Sequence, residues 1–500
     1  MKRSHGSRLT FFSPAPLLNL VKSRLPRIYR GCFLSGLPCS HALLFILLLC
    51  SLALLFFVSP SVVHAQWGPD VQLTQSGTGA LCGNEVREIA TDNIDCVHVV
   101  WYDWRDGNNE IYYKRSTDLG KTWGPDVRLT YDSSSSSSPA LAVDYLGGVY
   151  VAWQDHRSSS SDDIYFKYST DWGVTWSNDT LMSDTASWSV FPAIAADDSG
   201  RIQLSWYNVR PIPEHIYYRR SLDRGVSWEG IRLLGDSLVA SVSLATLSGR
   251  RCFAVSGRLW FVRSTDGGST WSPETCLTSR QPARGPCLTA TEGGRLHVVW
   301  MDQLNGPYPY YDIYYKKSED GGITWEPDTR MTFTDTLDEV SPVIEEDDSA
   351  RVHLFYQRWG IYYQCSTDGG GSWGSPIFLI PRVQAWRPHL SVDKLRNAHL
   401  VWQEGGNIYY KRWEPPSGVE TSFDKPISGI VNPLRIIPNP FTSFTSVPSH
   451  EAESFALYNI SGSRVGTYKG DRIGEGLSAG VYFLKPEGGN AKPLRIVKLR

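Results

Sequence analysis

The 500-residue chain is poor in methionine, with 4, and has no excess of either charge. Its 49 Lys and Arg face 51 Asp and Glu, for a net charge of −2. So even a balance excludes a surface built to follow a nucleic-acid backbone, and no nucleic-acid partner is expected. There is no phosphate-cradling glycine loop and no Ser-His-Asp order. Nine cysteines are present, but none stands in a CxxC pair. Without metal-ligand spacing, no metal and no other cofactor is expected. What is plentiful is Trp (19), Tyr (25), Gly (44) and Pro (30). Aromatic-rich, turn-rich composition favours many short strands over helices.

Residues 1–65 read as an export signal with a long basic leader. An apolar run, Ala42 to Val58, ends in Val63-His64-Ala65, a small-x-small cleavage pattern. The other reading of that run is a retained anchor, since it approaches a spanning length. Cleavage near Ala65 would leave Cys82, Cys96, Cys252, Cys276, Cys287 and Cys365, which read mostly as packed thiols.

The rest of the chain repeats itself. An octet of the form S-x-D-x-G-x-[TS]-W occurs six times, ending at Trp123, Trp176, Trp228, Trp271, Trp325 and Trp373. In each, the Asp can accept backbone N–H bonds inside a tight turn. The Gly permits a positive φ, and the Trp can fold back into an apolar seam. The aspartates are Asp118, Asp171, Asp223, Asp266, Asp320 and Asp368. Six copies in a turn role leave no unique chemistry for any one, so they are read as structural.

An aromatic strand precedes each octet, from Ile111-Tyr-Tyr113 to Ile361-Tyr-Tyr363, and a seventh, Ile408-Tyr-Tyr410, has no octet after it. Upstream of these lies a strand often ending in Trp (Trp101, Trp153, Trp206, Trp300, Trp402), and before that, in five units, a proline. Each unit therefore reads as strands A, B, C and D, a propeller blade of about 40 to 50 residues. Blade seven lacks its strand D. The segment Trp67 to Thr74, "WGPDVQLT", matches Trp123 to Thr130, "WGPDVRLT", at all but one position, and has no blade of its own. It is expected to close the ring as the outer strand of blade seven, because closure removes open sheet edges.

The octets resemble the Asp-box, or bacterial neuraminidase, repeat of the sialidase-like β-propellers, over residues 66–413. That resemblance implies an all-β fold and permits several activities, since such propellers include sialidases, other glycosidases, lectins and non-enzymes. The seven units here depart from the six-bladed sialidases. A sialidase would also need a tyrosine nucleophile with a glutamate, an aspartate acid/base and an arginine cluster. "RPIP" (Arg210 to Pro213) is only an echo of the family's arginine motif, and no catalytic set can be named.

Strand parity puts the A–B turns and the Asp boxes on one face. The longer B–C loops and D–A connectors fall on the other, where function usually sits. The candidates there are Arg105, Arg157, Arg210 and Arg358 from B–C loops, Asp103 and Asp155 beside two of them, Trp188 from a connector, and Trp386 and Arg387 at the start of the last strand A. Arginines can clamp a carboxylate, and Trp can stack on a sugar. The alternative is that W-x-[DN]-x-R, repeated in register, is a recurring turn or ion pair.

After Lys411 a Pro-, Gly- and Ser-rich linker (414–430) leads to residues 431–500. These read as a small β-sandwich. They resemble the C-terminal sorting domain of type IX secretion cargo, through Pro438-Asn-Pro-Phe441, Tyr458-Asn-Ile-Ser-Gly462 and Ala479-Gly-Val-Tyr-Phe483. That resemblance implies the outer-membrane secretion machinery as a partner and the surface or surroundings of a diderm bacterium as the location. The expected function is binding of a glycan or surface polymer, or scaffolding. The alternatives are an exo-acting, sialidase-like glycosidase on acidic glycans and a purely structural surface protein.

Overall fold

The computed structural model describes residues 67–415 and 454–498, except 76–78, 84–86, 159–160, 185–186, 211–213, 236–241, 280–282, 304–309, 335–336, 460–462, 470, 479 and 487–493. The expected export signal and most of the linker lie outside the described residues.

The fold is all-β. Between residues 67 and 413 the described residues form seven four-stranded antiparallel sheets. The first comprises Ile89–Thr91, Val97–Asp103, Glu110–Ser116 and Val127–Arg128. Inner strands of successive sheets pack against one another, and the last, Ala385–Val392, meets the first. The result is a closed propeller. Strand B of each blade is sandwiched between neighbouring blades, so it is hydrophobic on both faces. Val97–Asp103, for instance, is buried at all but one position. The Trp near its end stacks on the strand-C tyrosine: Trp101 on Tyr112, Trp153 on Tyr165, Trp402 on Tyr409.

The octets make the turn their residues dictate. In the first, Asp118 accepts the Thr122 N–H (2.8 Å) and hydroxyl (2.6 Å), and the Ser116 hydroxyl accepts the Gly120 N–H (2.8 Å). Each octet Trp then crosses to the preceding blade and stands edge-on to a strand-C ring. The pairs include Trp176–Tyr113 (5.0 Å) and Trp123–Tyr410 (4.9 Å). The octet Gly has a second reason to lack a side chain. A Cβ on Gly173 would lie 2.1 Å from the Tyr113 hydroxyl, and one on Gly120 1.9 Å from that of Tyr410. The octet is thus a joint between blades as well as a turn.

The N-terminal segment closes the ring as expected. Val71 lies opposite Tyr410 and Gln72 opposite Tyr409, so blade seven runs in the order Val71–Gln72, Asn407–Trp413, Ala398–Glu404, Ala385–Val392. Trp67 occupies the place of an octet Trp, edge-on to Tyr363 of blade six.

In the carboxy-terminal region one four-stranded antiparallel sheet is described, in the order Arg464–Lys469, Ser454–Asn459, Gly480–Pro486, Leu494–Lys498. Phe455, Leu457, Ile473, Leu484 and Ile496 form its buried cluster. A second layer, which a sandwich needs, is not among the described residues.

Candidate functional site

Parity sorts the loops as anticipated. Octet turns bond the A–B turns of their own blade, as in Leu119 N–H to Asp95 O (2.9 Å) and Trp172 N–H to Gly147 O (2.9 Å). The B–C loops and D–A connectors therefore share the opposite face.

On that face the inner strands begin with a repeated irregularity. The residue before the strand-A proline has a left-handed backbone in five blades: Ser138, Phe191, Gly285, Ser341 and Arg387, with φ between 48° and 56°. Strand register shifts at each of these points. These are β-bulges, which bend a strand and re-aim side chains. In blade seven the bulged residue is Arg387, whose guanidinium donates to the Cys82 carbonyl (2.5 Å).

The seven inner strands line an axial cavity of about 460 Å³. Its wall carries Arg87 and Arg387 as well as Glu345, Asp198 and Glu292. Arg87 of blade one reaches Glu345 of blade six at 3.8 Å. Burial pushes the Glu345 carboxyl upward, and Arg87 only partly offsets this. Of the nine loop-face candidates, Arg387 alone is among the described lining residues.

The other candidates lie elsewhere. Arg105 bonds Asp103 through Nε (2.9 Å) and Asp126 through Nη1 (2.7 Å), with its guanidinium 4.4 Å from the Tyr112 ring centre. Arg157 repeats this with Asp155 (2.8 Å), Asp179 (3.0 Å) and Tyr165 (4.0 Å). Burial works against both cations, but the bonds to their aspartates hold them more firmly charged than usual. Arg358 pairs with Glu339 (3.3 Å) and the Tyr362 hydroxyl (2.6 Å). These arginines are engaged within or beside their own blades and do not converge on the axis. Arg210 is exposed, opposite Trp188 in register.

The aromatic residues are distributed very differently. Trp104 is 63% exposed and Trp359 65%, both in B–C loops. Trp188 and Trp386 at the starts of inner strands are also exposed, as are Tyr131 and Phe333 in connectors. All belong to the loop face. On the octet face the exposed large apolar residues are chiefly aliphatic, such as Val174, Val226 and Ile323, with Tyr145 among them.

Sequence reasoning passed over a buried group beside Arg387. Cys82, Glu88 and His389 place a sulfur, a carboxylate oxygen and a ring nitrogen within 4.8 Å of one another. Burial pushes the Glu88 carboxyl up to about 8, against the pull of the Gly83 N–H, the Cys82 thiol and Arg387. The six cysteines of this region are all free.

The fold and the joints define a β-propeller whose blades are linked by Asp-containing turns. Residues 63–298 match the BNR repeat-like domain. The octets continue past that match to Trp373. No curated protein matches the chain. Among solved structures, an ulvan lyase bound to -[GlcA(1-4)Rha3S]- is similar at 11% identity, with 68% of this chain and 95% of that one covered and a TM-score of 0.50. YCF48 bound to D1 peptide is similar at 17% identity, covering 71% and 97%, with a TM-score of 0.46. The NanB sialidase from Streptococcus pneumoniae is similar at 14% identity, covering 71% and 72%, with a TM-score of 0.42. The ulvan lyase likeness bears on the fold alone and leaves the activity to the site.

Proposed function

We propose that the protein is an exported glycan-binding propeller that takes a polysaccharide or surface polymer on its B–C loop face. The observation that carries this reading is the segregation of exposed aromatic rings. Trp104, Trp188, Trp359 and Trp386 all stand on the face with the long loops, and the exposed large apolar residues of the octet face are chiefly aliphatic, with Tyr145 the exception among those described. An exposed indole leaves apolar area in water, and its flat face with a polar edge suits a sugar ring. Arg387 and Arg87 at the cavity supply cations for an acidic sugar. A glycan array on the full chain, read beside hydrolysis of fluorogenic sialosides, tests the reading. Binding to acidic polysaccharides without turnover supports it. Turnover would replace it with the exo-acting glycosidase, and silence in both assays would leave the structural surface protein.

The same reading includes export through residues 1–65 and delivery across the outer membrane through residues 431–500. Deleting 431–500 should then hold the propeller in the periplasm. Unchanged surface or medium levels after that deletion would remove this part of the proposal.

A further inference from the structure

We infer that Cys82, Glu88 and His389 form a zinc site at the seam where the ring closes. Cys82 and Glu88 lie in the stretch that enters blade one, and His389 on the inner strand of blade seven. All three side chains are buried, Glu88 completely. One carboxylate oxygen of Glu88 accepts the Gly83 N–H. The other, Oε2, has no hydrogen-bond partner, and the His389 Nε2 stands 3.6 Å from it, too far for one. A buried carboxylate oxygen without a donor costs free energy that a cation would recover.

The donor set selects the ion. Thiolate, imidazole and carboxylate together suit Zn²⁺, whereas Ca²⁺ and Mg²⁺ prefer oxygen alone. A thiolate and a carboxylate neutralise the dication, and on binding Cys82 releases its thiol proton and Glu88 its carboxyl proton to solvent. His389 also lines the axial cavity, which gives the ion an entry path and a fourth ligand position for water.

A second cluster of similar composition makes the contrast. Asp92, Cys96 and His98 are equally close together. There, however, Asp92 Oδ1 takes the N–H groups of Ile94 and Cys96 (both 2.9 Å), and His98 bonds the Tyr113 hydroxyl (2.7 Å). Blade seven repeats that arrangement with Asp393, His399 and Tyr410, and has no cysteine in it. That cluster is a recurring turn, and the Cys82 group has no counterpart of this kind.

The test is equilibrium dialysis of the full chain against Zn²⁺, with metal and protein assayed together, and Co²⁺ as a spectroscopic substitute. One equivalent should bind, and Co²⁺ should show a sulfur-to-cobalt charge-transfer band. Cys82→Ser and Glu88→Gln should each weaken binding by about 100-fold or more, whereas Cys276→Ser, an exposed thiol, should not. If those variants fail to fold, Cys96→Ser decides, because the sulfur band must persist in it if Cys82 is the ligand and must vanish if the second cluster holds the metal. Failure to bind one equivalent, a Co²⁺ spectrum without the sulfur band, or binding retained in both variants would overturn the inference.

Discussion

The Trp67 indole stands edge-on to Tyr363, with ring centres 5.2 Å apart and planes at 79°. Trp67 comes from the far end of the chain, yet it repeats the contact that each octet Trp makes with the blade before it. Its neighbour Gly68 donates its N–H to the Arg412 carbonyl (2.8 Å), as Gly124 does to Arg115 (2.9 Å). The ring is held shut by a copy of its own internal joint. Trp67→Ala should therefore lower stability by about 3–5 kcal/mol, the usual cost of emptying a large aromatic site. Urea unfolding would show it. A loss below about 1 kcal/mol would mean that the segment is only a peripheral arm.

The octet glycine should be intolerant for two reasons at once. Gly173 has φ +79° and faces the Tyr113 hydroxyl across the blade joint. Gly173→Ala should cost about 2–5 kcal/mol, from the left-handed backbone plus the forced separation of blades. Gly230, with open space around it, should accept Ala within about 0.5 kcal/mol. Equal effects of the two substitutions in thermal unfolding would contradict the joint.

Acid should weaken the propeller through a buried histidine. Burial, helped by Arg351, drops the His353 imidazole to about 3 from an ordinary 6.5. The unfolded chain takes up that proton below pH 6.5 and the folded chain does not. Stability is therefore complete above about pH 6.5 and falls as pH drops toward 3, at about 1.4 kcal/mol per pH unit for this one proton. His353→Gln should flatten the slope by one proton in that window, measured by unfolding at successive pH values. A variant with the natural protein's slope would show that His353 does not titrate this way.

Much of the fold was legible because repetition multiplies a weak signal. A single S-x-D-x-G-x-[TS]-W is only a turn, but six fixed the strand order around them and made the orphan Trp67–Thr74 segment conspicuous. The strand-A prolines were visible too, though not the left-handed residue before each, which depends on where the inner strand must bend. The site was less legible. Arg105 and Arg157 look alike as a clamp or as an ion pair in sequence. Their ties to Asp126 and Asp179 cross some twenty residues to the outer strand. Cys82, Glu88 and His389 come together only because the ring closes, which brings positions some 300 residues apart side by side. The aromatic segregation escaped notice for a different reason: exposure is set by packing, and Trp104 and Trp359 share their composition with the buried Trp101 and Trp402.

Binding of the full chain to an acidic polysaccharide, measured by calorimetry with a thermal melt for each variant, tests the loop-face assignment most directly. Trp104→Ala and Trp359→Ala should each weaken binding by about 1–2 kcal/mol per stacked ring and leave the melting temperature nearly unchanged. Arg157→Ala and Asp171→Ala should do the reverse, because one ends a buried ion pair and the other a turn. Affinity that is lost in Asp171→Ala at full stability, and kept in both tryptophan variants, would contradict the account.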